Sequence, residues 1–317
     1  MFCFKPLRTP IAERSHVIIT LLAFGISGAC RKMNAFERVI MSRVKNWLRP
    51  YLRPRCFHAF GVGFAKTGTS SLAGVFNGYR VGHEMEVEQF MRIVMARTNG
   101  DLSDATARDE IRRLDRRMWL EFNSSWLNYC ILDLLLEEYP RAKFVLTIRD
   151  CYSWLDSIFN QLLGRTHSEF HLQFHRWFAN ALSPGTHENG DRALGDRGLW
   201  PLDDWLRFWN QQNACVMALV PSDRLLIIRT QDILDDLPRL AEFLGIPLDT
   251  LDAGRSHEHK AAAKFGLLSE IDENYLRERV EARCGDLMRK FFPEIRGLSD
   301  IPGYRPRDAA AVAKASA

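Results

Sequence analysis

The residues best suited to chemistry lie in one glycine-rich stretch, Gly61-Val-Gly-Phe-Ala-Lys-Thr-Gly-Thr-Ser-Ser-Leu72, between a predicted strand and a predicted helix. A turn of this kind directs backbone N–H groups towards one point, and the helix that follows adds the positive end of its dipole. The stretch also carries the ammonium group of Lys66 and several hydroxyl groups. Together these groups predict a site for a phosphate or another oxyanion.

The stretch differs from two common nucleotide-binding motifs. Gly63 and Gly68 have the Walker spacing, but Thr69 occupies the lysine position and Lys66 lies three residues earlier. A dinucleotide-binding fingerprint would need a third glycine where Lys66 stands. The lysine is therefore expected to approach bound phosphate from a different side. A tight turn that binds nothing is the simpler alternative.

Composition indicates an ordinary globular protein. The chain has 317 residues, of which 46% are hydrophobic and 26% are charged, enough for one large domain with a full core. The net charge of +4 is small for this length and the basic residues are spread out, which argues against a nucleic-acid partner. The seven cysteines form no Cys-x-x-Cys pair, so we expect reduced thiols in a cytoplasmic setting and no structural zinc.

The N-terminal region, residues 1–55, is predicted to precede the folded domain as a basic and apolar extension. Its apolar run over 17–29 follows basic residues but is short for a membrane span, which needs about 20 apolar residues. Three interpretations are open: a cleaved or anchoring signal, an amphipathic helix on a membrane surface, or a start codon assigned too far upstream. We favour the last, with Met33 or Met41 as the true start. Peripheral membrane contact through this segment is the alternative to a purely cytoplasmic location.

From Cys56 onwards, apolar strand-like runs alternate with helical periodicity, which predicts a parallel β-sheet flanked by helices in three α/β/α layers, of the P-loop nucleotide-binding type. We expect this domain over 56–300 and a disordered tail over 301–317. The expected strands are Phe57–Gly63, Tyr79–Gly82, Met118–Phe122, Lys143–Ile148 and Arg224–Ile228. Helices are expected from the glycine-rich stretch to Asn77-Gly78, over 85–97, over 126–139 and after Asp150. A long loop is expected over 183–200.

A second candidate anion site lies at the end of the strand Lys143–Ile148. Arg149 follows this strand, and Ser157 comes eight positions later in the predicted helix. Because ligands of doubly wound sheets bind at the carboxyl ends of the strands, Arg149 and the glycine-rich stretch should open onto one crevice. A guanidinium and a hydroxyl suit a second, separate phosphate. The alternative is that Arg149 pairs with Asp150 or caps a helix.

Taken together, these motifs resemble those of the sulfotransferases that use 3'-phosphoadenosine 5'-phosphosulfate. The segment Ala65–Ser71 is similar to their 5'-phosphosulfate loop, and Val145–Ser157 is similar to their 3'-phosphate motif, with arginine and serine at the family spacing. The resemblance extends from about Phe57 to Pro293 and includes Arg224–Leu234 and Leu240–Pro247. The departures are Cys151 for the usual proline and Thr230-Gln231 for a common Tyr-Glu, which bear on the subfamily more than on the chemistry.

The resemblance implies an enzyme that moves a sulfuryl group in line from this donor to a hydroxyl or amine, without a covalent enzyme intermediate and without a metal. Lys66, with loop N–H groups and the hydroxyls of Thr69 and Ser70, would stabilise the bridging oxygen. Arg149 and Ser157 would hold the 3'-phosphate. The remaining predicted donor-binding residues are Thr67, Gly68 and Ser71.

The base that takes the acceptor proton is expected just after the second strand, where His83 and Glu84 are adjacent. Histidine has the pKa nearer neutrality, and the sequence does not order the two. A surface His-Glu pair that opens a helix is the alternative. Asn123 and Ser124, after the expected third strand, are candidates for orienting the acceptor.

Two other polar groups carry weaker predictions. His167, His171 and His175 recur every four residues, but no carboxylate or cysteine completes a metal site, and the aromatic residues between them favour packing or an acceptor pocket. The second group is a basic loop that either closes over the 3'-phosphate or is simply solvated; it contains His257, His259, Lys260 and Lys264.

Two other function classes remain open from the sequence. One is a P-loop kinase or nucleotide hydrolase that uses ATP and Mg²⁺, and the other is a non-catalytic anion-binding protein. The acceptor, whether a small molecule, a lipid or a glycan, is not specified by the sequence. The oligomeric state is not specified either.

Overall fold

The computed structural model describes residues 53–76, 78–164, 168–181, 185–255 and 265–301. The expectations for the N-terminal extension and the tail lie outside these residues, apart from their innermost ends. The expectations for His167 and for the basic loop over 257–264 lie outside them as well. None of the described helices is long and apolar enough to span a membrane.

The central feature is a five-stranded parallel sheet in the order β2-β3-β1-β4-β5. The strands are Ala59–Gly61 (β1), Val81–His83 (β2), Phe122–Ser124 (β3), Lys143–Ile148 (β4) and Leu225–Arg229 (β5). The bounds of β4 are those expected from the sequence. Its run of apolar residues is buried from Phe144 onwards, as is typical of a parallel strand covered on both faces.

Helices connect and cover these strands. The α-helices are Thr69–Gly74 (α1), Val87–Thr98 (α2), Asp104–Met118 (α3), Leu132–Glu138 (α4), Cys151–Gly164 (α5), Glu169–Ala181 (α6), Arg192–Gly195 (α7), Leu202–Leu219 (α8), Leu237–Leu244 (α9) and Glu273–Phe291 (α10). Short 3₁₀ helices include Trp126–Ile131, Asn189–Asp191, Ser222–Arg224, Thr230–Asp232, Leu248–Thr250, Ala253–Arg255, Leu267–Glu270 and Leu298–Asp300.

Two apolar cores lie on opposite faces of the sheet. Along β4, Phe144 and Leu146 belong to one core and Val145 belongs to the other, because successive side chains of a strand point to opposite faces. Leu72 of α1 and Leu240 of α9 pack in the smaller core, whereas most other helices pack in the larger one. This arrangement confirms the predicted three-layer α/β/α fold.

Several local expectations were wrong. The third strand begins at Phe122 rather than Met118, because Met118 ends α3, a helix that was not expected. Ser103 caps α3 by accepting a hydrogen bond from the Thr106 N–H at 3.2 Å. The helix after the glycine-rich stretch ends at Gly74, earlier than expected. The region 183–200 is not a continuous loop, since its described part contains two short helices.

Candidate active site

The sheet topology brings the glycine-rich stretch and Arg149 to one crevice. Strands β1 and β4 are neighbours, with Gly61 paired to Val145. The chain leaves β1 towards β2 on one side of the sheet and leaves β4 towards β5 on the other. A crevice at the carboxyl ends of such diverging strands is the usual ligand site of open α/β sheets.

Three consecutive carbonyl groups of the glycine-rich stretch are held by three different elements. The Trp154 indole N–H of α5 donates to the Ala65 carbonyl at 3.0 Å, and Arg149 Nη1 donates to the Lys66 carbonyl at 3.3 Å. The Thr230 hydroxyl donates to the Thr67 carbonyl at 2.7 Å. With its carbonyl groups fixed by the surrounding protein, the loop has a defined shape before any ligand binds.

The backbone of the loop is curled by two residues with positive φ, Lys66 at 70° and Gly68 at 90°. Gly68 precedes α1, and a Cβ at this position would lie 2.9 Å from Ile233 Cδ1 and 3.0 Å from Thr230 Cγ2. Only glycine satisfies both the conformation and the close packing. Alternation of right-handed and left-handed residues creates a concave arrangement of N–H groups that suits an anion.

Gly63 is required for a different reason, which is the close approach of the loop to β4. A Cβ at Gly63 would press against the Thr147 hydroxyl and would lie 2.8 Å from both the Thr147 carbonyl oxygen and Thr67 Oγ1. The Thr67 and Thr147 hydroxyls themselves are hydrogen-bonded at 2.8 Å. The first glycine of the Walker-like spacing therefore fastens the loop to the sheet.

The hydroxyl groups of the loop do not all face the same way. Thr67 is buried, and its hydroxyl donates to the Phe64 carbonyl at 2.7 Å, so this hydroxyl points towards the sheet. The Thr69 hydroxyl lies 3.2 Å from His83 Nε2 at the end of β2. Ser70 and Ser71 are half-buried in the first turn of α1, and no hydrogen bond joins either hydroxyl to another described residue.

Arg149 is oriented by the start of α5. Asp150 accepts a hydrogen bond from the Ser153 N–H at 2.8 Å, and so caps this helix, and it also accepts one from the Ser153 hydroxyl. The same hydroxyl accepts a hydrogen bond from Arg149 Nε at 2.8 Å. The Trp209 indole N–H of α8 donates to the Arg149 carbonyl at 3.0 Å. The expected alternative, a direct ion pair between Arg149 and Asp150, is replaced by this indirect link through Ser153.

The guanidinium group of Arg149 is poorly solvated and lacks a carboxylate partner. Burial lowers its pKa, an effect that the more distant charges of Asp150 and Asp156 only partly oppose. Among the described residues, no carboxylate lies within ion-pair distance of Arg149. An arginine remains charged at neutral pH, so a half-buried guanidinium without a carboxylate favours an anionic ligand.

Ser157 lies one turn beyond Ser153 on α5 and is half-buried. No hydrogen bond joins its hydroxyl to another described residue. Its predicted role beside Arg149 stays a prediction.

The two candidate bases occupy different positions. His83 ends β2 and contacts the loop through Thr69, whereas Glu84 lines a cavity next to the loop. Glu84 has a φ of 52°, and its N–H donates to the Ser124 carbonyl at 2.9 Å. Backbone conformations of this kind are uncommon for residues other than glycine and often occur at functional sites.

The cavity has a volume of about 210 Å³. Phe64 and Ala65 of the glycine-rich stretch form one side of it, and Glu84 lines it from the end of β2. His171 and His175 of α6 reach the same cavity. Among the described residues, no group of three or more histidine, cysteine, aspartate or glutamate side chains is arranged to hold a metal ion.

The expectation for Asn123 and Ser124 was wrong in its position. Both residues are buried within β3 rather than after it, and neither is among the residues that line the cavity. The Ser124 hydroxyl donates to the Thr69 carbonyl at 3.0 Å, so it supports the loop.

Sequence reasoning missed the residues that support the site from other elements. Ser153 carried a usable signal, since Asp150 and Ser153 have the spacing of a capped helix start. Trp154, Trp209 and Thr230 carried none, because each contacts the site through the tertiary fold.

Comparisons with known proteins identify a family for this chain. Residues 58–260, more than half of the chain, match the family model described as "Sulfotransferase domain". Solved structures similar to this chain include a sulfotransferase from Alicyclobacillus acidocaldarius, at 17% identity and a TM-score of 0.42, with 74% of this chain and 96% of that chain covered. Another is the sulfotransferase domain of the Synechococcus PCC 7002 olefin synthase, at 16% identity and a TM-score of 0.35, with 77% and 91% covered. A search of the curated proteins found no match.

Proposed function

The chain belongs to the sulfotransferase family, and on this premise we propose that it transfers a sulfuryl group from 3'-phosphoadenosine 5'-phosphosulfate to an acceptor hydroxyl. The observation that supports this donor best is the contact between Arg149 and the Lys66 carbonyl at 3.3 Å. It places a half-buried cation without a carboxylate partner among the described residues beside the glycine-rich loop. Two neighbouring groups suited to anions match a donor that carries phosphate on both its 5' and 3' positions.

The glycine-rich loop acts on the 5' side of the donor. As the bond between sulfur and the bridging oxygen breaks, negative charge develops on the leaving phosphate. The Lys66 ammonium and the N–H groups at the start of α1 stabilise that charge. Because the loop carbonyls are fixed by Trp154, Arg149 and Thr230, little reorganisation is needed when the charge appears.

Arg149 acts on the 3' side. Its guanidinium pairs with the 3'-phosphate, and Ser157 adds a hydrogen bond one turn beyond Ser153. A nucleotide without a 3'-phosphate leaves the guanidinium without this partner. Arg149 thereby selects this donor over ATP.

Glu84 takes the acceptor proton, and His83 positions the loop. Glu84 lines the cavity in which an acceptor would lie, whereas His83 contacts Thr69 on the donor side. A carboxylate at the cavity wall accepts the proton of the acceptor hydroxyl as the hydroxyl oxygen attacks the sulfur of the donor. His83 keeps the Thr69 hydroxyl directed towards the end of β2.

The test is an assay of sulfuryl transfer from labelled donor by the unchanged protein and by the Lys66→Ala variant. We expect Lys66→Ala to lower kcat by about 100- to 1,000-fold, the usual effect of removing one group that stabilises developing charge. Lys143→Ala is the matched control, because Lys143 donates to the Asp223 carbonyl at the opposite edge of the sheet. Equal activity of both variants and the unchanged protein would refute the role of Lys66, and absence of transfer to every acceptor would refute the reaction.

A further inference from the structure

The cavity next to the glycine-rich loop has an apolar lining that restricts the acceptor. Phe64, Trp126, Phe178, Trp200 and Trp205 all contribute aromatic rings to its wall. Aliphatic side chains complete that wall, namely Val87, Met91, Ile158, Leu162 and Leu199. An apolar ligand binds to a surface of this kind because the apolar area of the ligand and that of the protein are both removed from water.

The rings of the wall are held in defined orientations by each other. Trp200 stacks on Trp205 with ring centroids 4.5 Å apart, and Phe178 stacks on Trp200 with centroids 6.2 Å apart. Trp126 meets Phe64 edge to face at 5.2 Å. A preformed aromatic wall favours an aromatic ligand, since rings pair well in stacked and edge-to-face arrangements.

Polar side chains are few among the described residues that line the cavity. They are Glu84, Gln161, His171 and His175. A sugar would bring a hydroxyl on almost every carbon and would leave several of them without partners against the aromatic wall, which costs free energy. Aromatic faces attract cations, but a cationic ligand would also lose its hydration against the five aliphatic side chains, and Glu84 is the only carboxylate among the described residues of the lining.

The volume of about 210 Å³ sets the size of the ligand. An apolar protein cavity of about 150 Å³ is sufficient for benzene. The present cavity therefore admits one aromatic ring with a short substituent.

We propose that the acceptor is an uncharged monocyclic phenol or aryl alcohol, an inference that rests on the proposed sulfuryl transfer. The acceptor ring lies against the aromatic wall, and its hydroxyl lies between Glu84 and the glycine-rich loop. The bond between sulfur and the bridging oxygen of the donor breaks as a bond between sulfur and the acceptor oxygen forms. The acceptor proton passes to Glu84, and the products are the sulfate ester of the phenol or aryl alcohol and adenosine 3',5'-bisphosphate.

The experiment compares kcat/KM for acceptors of four chemical classes with labelled donor. 4-Ethylphenol and 2-phenylethanol represent the proposed class, and methyl β-glucoside, hexadecanol and choline represent a sugar, a long-chain lipid and a cation. We expect the two aromatic acceptors to exceed each of the others by more than tenfold. A sugar, lipid or cation that equals or exceeds them overturns the proposal.

A cavity-filling variant tests whether this selectivity arises in the cavity. Leu162→Phe adds volume to the cavity wall and should raise KM for 4-ethylphenol by at least tenfold while the affinity for adenosine 3',5'-bisphosphate stays unchanged. Leu219→Phe is the matched control, because Leu219 is 49% exposed at the end of α8. Equal KM values for the two variants contradict the placement of the acceptor.

Donor binding separates failure of this inference from failure of the proposed function. If adenosine 3',5'-bisphosphate binds and a non-aromatic acceptor is sulfated best, the acceptor class is wrong and the function stands. If neither adenosine 3',5'-bisphosphate binding nor sulfuryl transfer is found, the proposed function fails, and this inference fails with it.

Discussion

Arg149 could be identified from the sequence, but the residue that orients its side chain was missed. Its position after a buried strand was sufficient to predict that it faces the glycine-rich loop, because strand ends of a parallel sheet share one edge. Its orientation depends on Ser153, and that hydrogen bond follows from the geometry of a capped helix start. The sequence pattern is sufficient to place a charged residue at the end of a strand, whereas tertiary contacts determine where its side chain points.

The first prediction concerns the specificity of Arg149 for the 3'-phosphate. Arg149→Ala should weaken binding of adenosine 3',5'-bisphosphate by about 10- to 150-fold, since a hydrogen bond to a charged group contributes about 1.5–3 kcal/mol. Affinity for adenosine 5'-phosphate should stay nearly unchanged. Titration calorimetry measures both.

Arg224→Ala is the control for this prediction. Burial lowers the pKa of Arg224 as it does that of Arg149, but Arg224 donates to the carbonyls of Ala142 and Tyr139 at the amino ends of the strands. It should bind both nucleotides normally. If Arg149→Ala weakens both nucleotides equally, Arg149 acts by holding the loop and not by recognising the 3'-phosphate.

The second prediction orders the two candidate bases, which the sequence left equal. Glu84→Gln should lower kcat by about 100- to 10,000-fold, because it removes the proton acceptor at the cavity wall. Glu86→Gln is the matched control, since Glu86 is exposed and pairs with Arg117 at 2.8 Å. His83→Gln should cost less than Glu84→Gln in steady-state assays. The reverse order would assign proton transfer to His83.

At the scale of secondary-structure elements, the fold depends on how closely the loop approaches β4. Gly63 lies directly against Thr147, a contact that no periodicity in the sequence reveals. The continuous apolar run of β4 was sufficient to predict its bounds. Helix α3 was missed because its buried residues, Ala107, Ile111 and Leu114, are separated by many charged ones. Its mainly polar sequence conceals a narrow apolar stripe.

The third prediction tests the contact between the loop and β4. Gly63→Ala should lower the free energy of unfolding by about 1–3 kcal/mol, the usual cost of overpacking, and should weaken donor binding because the loop must shift. Gly297→Ala is the control, since its φ is −171° and a Cβ there would meet nothing within 4 Å. Urea unfolding with equal midpoints for both variants would refute the close packing of Gly63.

At the scale of the whole molecule, an ion-pair cluster joins the start of the domain to α3. Arg55 Nη1 donates to Asp115 Oδ2 at 3.0 Å, and His58 Nε2 lies 3.4 Å from Asp115 Oδ1. Burial on its own would raise the pKa of Asp115, but the hydrogen bonds from His58 and Arg55 outweigh it and hold that pKa below its usual value. The carboxylate therefore contributes stability above its unfolded pKa, and that contribution is lost as the pH falls through the lower folded pKa.

The fourth prediction follows from the lowered pKa of Asp115. The free energy of unfolding should decrease as the pH falls from about 5 to about 3, and Asp115→Asn should reduce the decrease because it removes the titrating group. The variant should also be less stable than the unchanged protein at pH 7. Urea unfolding at all three pH values measures these quantities. An equal pH dependence of the two proteins would show that Asp115 does not carry this effect.

At the scale of the whole molecule, the parts of the proposed donor site could be predicted from the sequence, whereas the cavity could not. The proposed donor site joins residues that carry recognisable motifs, so its parts could be proposed before the fold was known. The cavity joins side chains from the glycine-rich stretch, α2, α5, α6, α8 and the segment before α8, and no single motif in the sequence links them. Its aromatic lining arises only from packing, which explains why the sequence left the acceptor open.

The central claim is that Lys66 and Arg149 bind the two ends of one adenosine donor. Titration calorimetry of the full chain with adenosine 3',5'-bisphosphate, compared with ATP and Mg²⁺, tests it most directly. We expect adenosine 3',5'-bisphosphate to bind at least tenfold more tightly, a difference of about 1.4 kcal/mol. Tighter binding of ATP with Mg²⁺ would contradict the claim and would favour a P-loop kinase or nucleotide hydrolase.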